Sequence, residues 1–234
     1  RYVPQSVVRG IQLGLGLLLL KASAGFILKD PFFFFAGIVI IAGFFIVSRF
    51  RAVPDLSSLV VIGMGIAGGI FLSGIPPVSV LPLPQLVVPL PSGFMAALYD
   101  LVLPQSILTI TNAILATSLL AKDLFGREVP PKRLSATIGL MNIVSVPFGG
   151  FPMCHGAGGL AGQYRYGART GGSNIFAGCI FLVLALFFSS PEVLSVIAVG
   201  ALGALLLFVA IELGKHSLKT DSLPVTIVIG ILAL

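Results

Sequence analysis

Charge is what this sequence has least of. Among 234 residues there are 14 Lys and Arg and 8 Asp and Glu, 9% in all, against 57% hydrophobic residues and a mean hydropathy of +1.11. That balance excludes a soluble domain, because too little polar surface is available to keep such a chain in water. Cysteine and histidine are sparser still, two of each, with Cys154 and Cys179 in separate segments and His155 and His216 far apart. No spaced ligand pair exists, so a metal site is not expected. The acids Asp30, Asp55, Asp100, Asp123, Glu128, Glu192, Glu212 and Asp221 fall in loops or near the ends of apolar blocks. None sits where a midplane cation ligand would, which weighs against a metal-cation or amine transporter.

Long apolar runs are what the sequence has in abundance. Blocks at Ile11 to Leu28, Phe32 to Val47, Leu56 to Leu72, Leu103 to Leu120, Leu134 to Val146, Ile175 to Phe188, Val193 to Ile211 and Val225 to Leu234 approach the roughly 20 residues needed to cross a bilayer. The expected fold class is therefore an all-α polytopic membrane protein, with each full block crossing once. The chain opens on Arg1 and stops at Leu234 inside an apolar run, so it reads as a fragment of a longer transporter-like polypeptide. No cleavable signal peptide is evident.

The basic residues give an independent check on that span count. If the Gly-rich stretch after Val146 re-enters the membrane and returns as a half-helix, then Arg1, Arg9, Arg49, Arg51, Lys122, Arg127, Lys132, Arg133, Arg165, Arg169, Lys215 and Lys219 share one face. Only Lys21 and Lys29 fall elsewhere. The positive-inside rule assigns the crowded face to the cytoplasm. Dispersal over short loops, rather than clustering on one soluble surface, argues against a nucleic-acid partner despite the net charge of +6.

Ser73 to Ser92 carries Pro76, Pro77, Pro82, Pro84, Pro89 and Pro91 in an apolar setting and is expected to be an extended connector. It separates three plain blocks from polar-flecked ones. The expected organisation is helices of one kind over residues 1–73, the connector over 74–100, a functional middle over 101–190, and a return to the first kind over 191–234.

Two constellations occupy that middle. In the fourth block, Pro104 suits a first helical turn, and Gln105, Thr109, Asn112 and Ala116 follow at spacings that align one stripe of an α-helix. An intramembrane amide on such a stripe either glues helices together or meets a substrate. The second constellation is Pro147 to Gly172, PFGGFPMCHGAGGLAGQYRYGARTGG. Its glycines and Pro152 forbid a stable helix through the first part, while Ala157 to Tyr166 is expected to form a short helix ending near Gly167. The buried N-terminus of a half-helix offers unpaired N–H groups and partial positive charge, an economical way to hold an anion in a membrane. Cys154, His155, Gly156, Ala157, Gly158 and Gly159 are the candidate binding residues at that rim, with Gln105, Thr109 and Asn112 facing them. Close helix packing of the Gly158 to Gly162 type is the competing explanation for the glycines, and a structural role is the competing one for His155.

LPQSILTITNAILAT followed by GLMNIVSVPFGGFPMCHGAGGLAGQYRYGARTGG resembles the signature of the plant and bacterial molybdate transporter family, distant relatives of the SulP sulfate permeases. The resemblance implies a seven-plus-seven inverted repeat of the SulP or uracil-permease kind, with the present blocks matching spans five to thirteen. Residues 101–190 would then belong to the core domain, and residues 1–73 and 191–234 to the gate domain. Gln105 and Asn112 match the polar positions of the first motif. Pro152, Cys154, His155, Gly156, Ala157, Gly158 and Gly159 match the second, as do Arg165 and Arg169, which sit at the cytoplasmic end of the half-helix. The implied activity is uptake of molybdate by alternating access, with the first four spans and their share of the pocket outside this sequence.

The partners expected are a molybdate or sulfate oxyanion, the lipid bilayer and a second copy of the chain in a homodimer, with no cofactor. A sulfate permease satisfies every physical argument equally, since the two anions share charge and shape. A nucleobase permease is the next alternative, although that family uses carboxylates where Gln105, Asn112 and His155 stand here. An intramembrane enzyme with Cys154 as nucleophile is disfavoured, because the adjacent Cys154 and His155 side chains diverge.

Overall fold

The computed structural model describes residues 3–50, 55–81, 85–87 and 91–233. Arg1, Arg51, Leu234 and the connector prolines Pro82, Pro84 and Pro89, which entered the charge and connector readings, lie outside the described residues. Every apolar block becomes a helix: α1 (Gln5–Lys29), α2 (Pro31–Phe50), α3 (Ser57–Ser73), a composite fourth element described below, α7 (Pro131–Ser145), α9 (Gly172–Phe187), α10 (Val199–Ser217) and α11 (Leu223–Leu232). Among the described residues, four segments are long and apolar enough to cross a membrane: Gln5–Lys29, Pro31–Phe50, Gln105–Phe125 and Val199–Ser217. Helix α3, with 17 residues, rises only about 25 Å and falls short of a full hydrocarbon crossing. On α9, Ile175 (72% exposed) and Phe181 (69%) are largely uncovered, as expected of a face solvated by lipid or covered by protein rather than by water.

The fourth element departs from the expected plain helix. It begins at α4 (Phe94–Ala97), widens into a π-helical turn at Leu98–Val102, tightens as α5 (Leu103–Leu108), widens again at Thr109–Ala116 and ends as α6 (Thr117–Phe125). Pro104 therefore sits inside a longer helical run rather than in its first turn. Its missing N–H leaves one α-helical bond unmade, and a wide turn lies immediately before it. The stripe built on α-helical spacing is distorted for the same reason, since hydrogen bonds in Thr109–Ala116 skip to the fifth residue. Near the C-terminus of the chain, Pro191–Val196 forms a 3₁₀ turn, so α10 starts later than the Val193 to Ile211 block.

The chain divides into two compact units. One holds residues 1–15, 83–161 and 213–234, the other residues 16–82 and 162–212. In the second unit α2, α3 and α10 meet through small residues: a Cβ on Gly37 would lie 2.7 Å from Ala204, and one on Gly65 2.9 Å from Ala201. Ile41, Val61, Ala201 and Ala204 form its buried centre. Asp30 caps two helices there, accepting from Phe33 N at 3.3 Å and Gly200 N at 3.2 Å. The connector's residues 74–81 and 85–87 lie outside any helix, and Ser79 bridges in parallel to Phe188 with Ser79 N donating to Phe187 O at 2.9 Å, whereas residues 91–100, expected in the same connector, are helical, since Pro91 starts a 3₁₀ turn that leads straight into α4. In the first unit the start of α1 packs on α11 through Gly10 and Gly14, and Thr226 Oγ1 donates to Ser6 O at 3.2 Å. Ala113, Ile114 and Ile138 form a second centre with Leu134 and Met141.

Candidate functional site

Helix α7 stops where its sequence requires. Pro147 falls in the 3₁₀ turn Val146–Phe148, and Gly149 takes the left-handed conformation at φ +78°, which an L side chain rarely adopts. A Cβ on Gly150 would lie 2.7 Å from Ser145 O, so only glycine passes at that point. The chain then runs unwound until α8 (Ala157–Arg165) begins, the short helix expected from the sequence, with Gly167 left-handed at φ +95° just beyond it.

The unwound backbone is bonded by side chains from its neighbours. Asn142 on α7 works as a small strand, its Oδ1 accepting from Met153 N at 2.8 Å and its Nδ2 donating to Met153 O at 2.8 Å. Thr117, at the start of α6, donates to His155 O at 2.6 Å while also lying 3.1 Å from Asn112 O. Thr137 Oγ1 lies 2.8 Å from His155 Nε2. Thr117, Thr137 and Asn142 were absent from the candidate set. Asn142 stands within the quoted motif as the one amide on α7, and that was the available signal.

Among the candidates, Asn112 and Gly156 are brought together. A Cβ on Gly156 would lie 3.8 Å from Asn112 Nδ2 and 3.9 Å from Cys154 Sγ, an ordinary contact, so the glycine leaves that space open. Asn112 Oδ1 is buried and without a hydrogen-bond partner among the described residues. Gly159 N donates to Gly156 O at 3.1 Å, as does Leu160 N at 3.3 Å, so those amides are spent. By helix geometry the N–H groups of Ala157 and Gly158 have no intrahelical acceptor. Ala157 and Ala161 are fully buried, which makes the packing face of α8 one of alanines, while Gly159 is exposed with nothing near its Cβ position.

Gln105 stands apart from that pair. It is exposed, donates to Thr109 Oγ1 at 3.4 Å, and lies seven residues, or roughly 10 Å of helix, before Asn112. Cys154 is exposed and its thiol is free. His155 directs Nε2 to Thr137 Oγ1.

The far end of α8 is tied down by its two arginines. Arg165 Nη1 meets Asp55 Oδ2 at 3.1 Å, with the Phe208 ring 5.5 Å and the Phe45 ring 5.7 Å from its guanidinium. Arg169 donates to Tyr164 O at 2.6 Å and Ala168 O at 2.9 Å, satisfying carbonyls at the helix C-terminus. Tyr166 OH donates to Leu205 O at 2.8 Å.

Comparison with known proteins places this arrangement in context. The chain is 43% identical over 132 residues to molybdate transporter 2 of Arabidopsis thaliana, covering 56% of this chain and 28% of that protein. It is 47% identical over 113 residues to molybdate transporter 1 of the same plant (47% and 25%), and 41% identical over 129 residues to molybdate transporter 1 of Chlamydomonas reinhardtii (51% and 25%). The chain thus spans about a quarter of the length of the curated relatives it matches. No solved structure matches it. A family model described as "Molybdate transporter of MFS superfamily" matches residues 97–213, half of the chain and the whole stretch from the π-helical element through α8 to α10. With apolar helices of spanning length and that match together, the chain is part of an integral, multi-pass membrane protein and belongs to the molybdate transporter family.

Proposed function

We propose that this chain forms the oxyanion-holding part of a secondary transporter that moves molybdate across a membrane. The observation that carries the reading is the N-terminus of α8. It sits at the end of an unwound segment held by Asn142 and Thr117, with the Ala157 and Gly158 N–H groups lacking intrahelical acceptors and the Asn112 amide beside Gly156. Such an end binds a tetrahedral oxyanion through N–H donors without a buried cation. The names of the relatives supply the metal oxyanion, which the donors alone do not distinguish from sulfate.

In this reading residues 101–190 act as core and residues 1–73 and 191–234 as gate within a SulP-like inverted repeat. The basic loops face the cytoplasm, and core moves against gate to alternate access. Cys154, His155 and Gly156 line the approach, Gly159 borders it, and Gln105 and Thr109 lie further along the path. Two such chains pairing as a homodimer complete the proposal.

Direct titration of molybdate and of sulfate into the purified full chain tests it. Molybdate is expected to bind, and Gly156→Val, which fills the space beside Asn112, is expected to lower its affinity at least tenfold with the fold retained. Displacement of molybdate by equimolar sulfate would turn the reading into a broader oxyanion permease. Binding of neither anion, or unchanged affinity in Gly156→Val, would remove it.

A further inference from the structure

Nothing in the local sequence TITNAILAT explains why Thr109–Ala116 is π-helical: it contains no proline, and π-helical bonding is rare outside single turns at functional sites. A tertiary cause is present at the end of the turn. Gln12 on α1, fully buried, donates from Nε2 to Ala116 O at 3.0 Å. Arg9, one turn earlier and 1% exposed, donates to Gln12 Oε1 at 3.0 Å and pairs with Asp123 Oδ2 at 2.6 Å. His216 Nδ1 on α10 approaches the same carboxylate oxygen at 3.5 Å. Helix α1 therefore grips the fourth element at Ala116 and again at Asp123, seven residues on.

We propose that Arg9 and Gln12 are positioning residues for the oxyanion site, setting the register of the π-helical segment through this two-point clamp. The proposal rests on the placement of the anion beside Asn112 and the start of α8. Closing Thr109–Ala116 into a regular α-helix would turn one side of it against the other by about 100° and shift it about 1.5 Å. Either Ala116, Thr117 and Asp123 then leave Gln12, the His155 carbonyl and Arg9, or Asn112 leaves Gly156. The clamp holds one choice of register, and it is the one that places Asn112 at the site. This also accounts for a charge buried where stability alone gives it little justification: an ion pair in a low-dielectric interior is poor value against an apolar pair of the same size.

The test measures molybdate affinity of the folded full chain carrying Gln12→Met, which keeps length and loses the amide, and Gln12→Asn, which keeps the amide one methylene short of Ala116. Each is expected to weaken molybdate binding on the order of tenfold although neither position touches the anion. In a double-mutant cycle, Gln12→Met is expected to cost little further once Asn112→Ala is present. A role confined to stability would lower the melting temperature and leave the affinity of the folded protein and the additivity of the cycle intact. Either result, in whichever variant folds, overturns the proposal. Asn112→Ala and Gly156→Val alone separate the two ideas. If both bind molybdate as the parent does, the anion site is misplaced; if both lose it while the Gln12 variants keep it, the clamp is wrong and the site stands.

Discussion

Asn142 shows how one side chain can stand in for a strand. Its amide satisfies both the N–H and the C=O of Met153, each at 2.8 Å, so the backbone before α8 needs no helical partner. Replacing it with Leu, of similar volume, removes both of these bonds to Met153. Asn142→Leu is expected to lower the unfolding temperature, measured by circular dichroism in detergent, and to weaken molybdate binding. A variant that kept both values would show that Met153 finds other partners. At this scale the sequence was readable in part. Motif and spacing mark Asn112 and Gly156, and a Cβ on Gly156 would lie 3.8 Å from Asn112 Nδ2. Thr117 and Thr137 were not, since a threonine on a membrane helix ordinarily bonds its own helix, and only the packing of the unwound segment gives these two a distant partner.

At the scale of the element, α8 was legible and the helix facing it was not. Gly149, Pro152 and Gly167 bracket the only stretch of Pro147 to Gly172 able to hold a short helix before Thr170, and α8 fills that stretch. The α-helical stripe of Gln105, Thr109, Asn112 and Ala116 assumed regular hydrogen bonding, which π-helical turns break. Thr117 sits at the junction where regular bonding resumes, with its hydroxyl between the carbonyls of Asn112 and His155. Thr117→Val removes that hydroxyl at constant shape. It is expected to reduce molybdate affinity several-fold, read by titration, while helix content stays at the parental level. Parental affinity would show that the unwound segment holds its position without Thr117.

For the whole molecule, ion pairs replace the missing polar surface as the fixed points between helices. Asp55 caps α3 by accepting from Ser57 N at 3.0 Å and holds Arg165 with its other oxygen. Both side chains are largely buried, at 14% and 19% exposure, so removing one partner strands the other. Asp55→Ala is expected to destabilise the protein by about 3 kcal/mol, seen as a lower unfolding temperature, without altering the anion contacts at the opposite end of α8. An unchanged unfolding temperature would show that the three aromatic rings around Arg165 suffice to hold it.

Sequence by itself determined the solvent, the elements and the break. Apolar runs of spanning length leave no alternative to lipid-solvated helices, and glycine and proline at fixed positions act through backbone geometry that no neighbour can override. Tertiary structure decided the register of the fourth element and the bonding of the unwound backbone. Those depend on Arg9, Gln12, Asp123 and Asn142 reaching groups that are distant in sequence or unmarked by any local pattern. Hydrogen bonds between distant segments leave no periodicity in a single chain, so the residues that aim the Gly-rich site emerge only once the helices are packed.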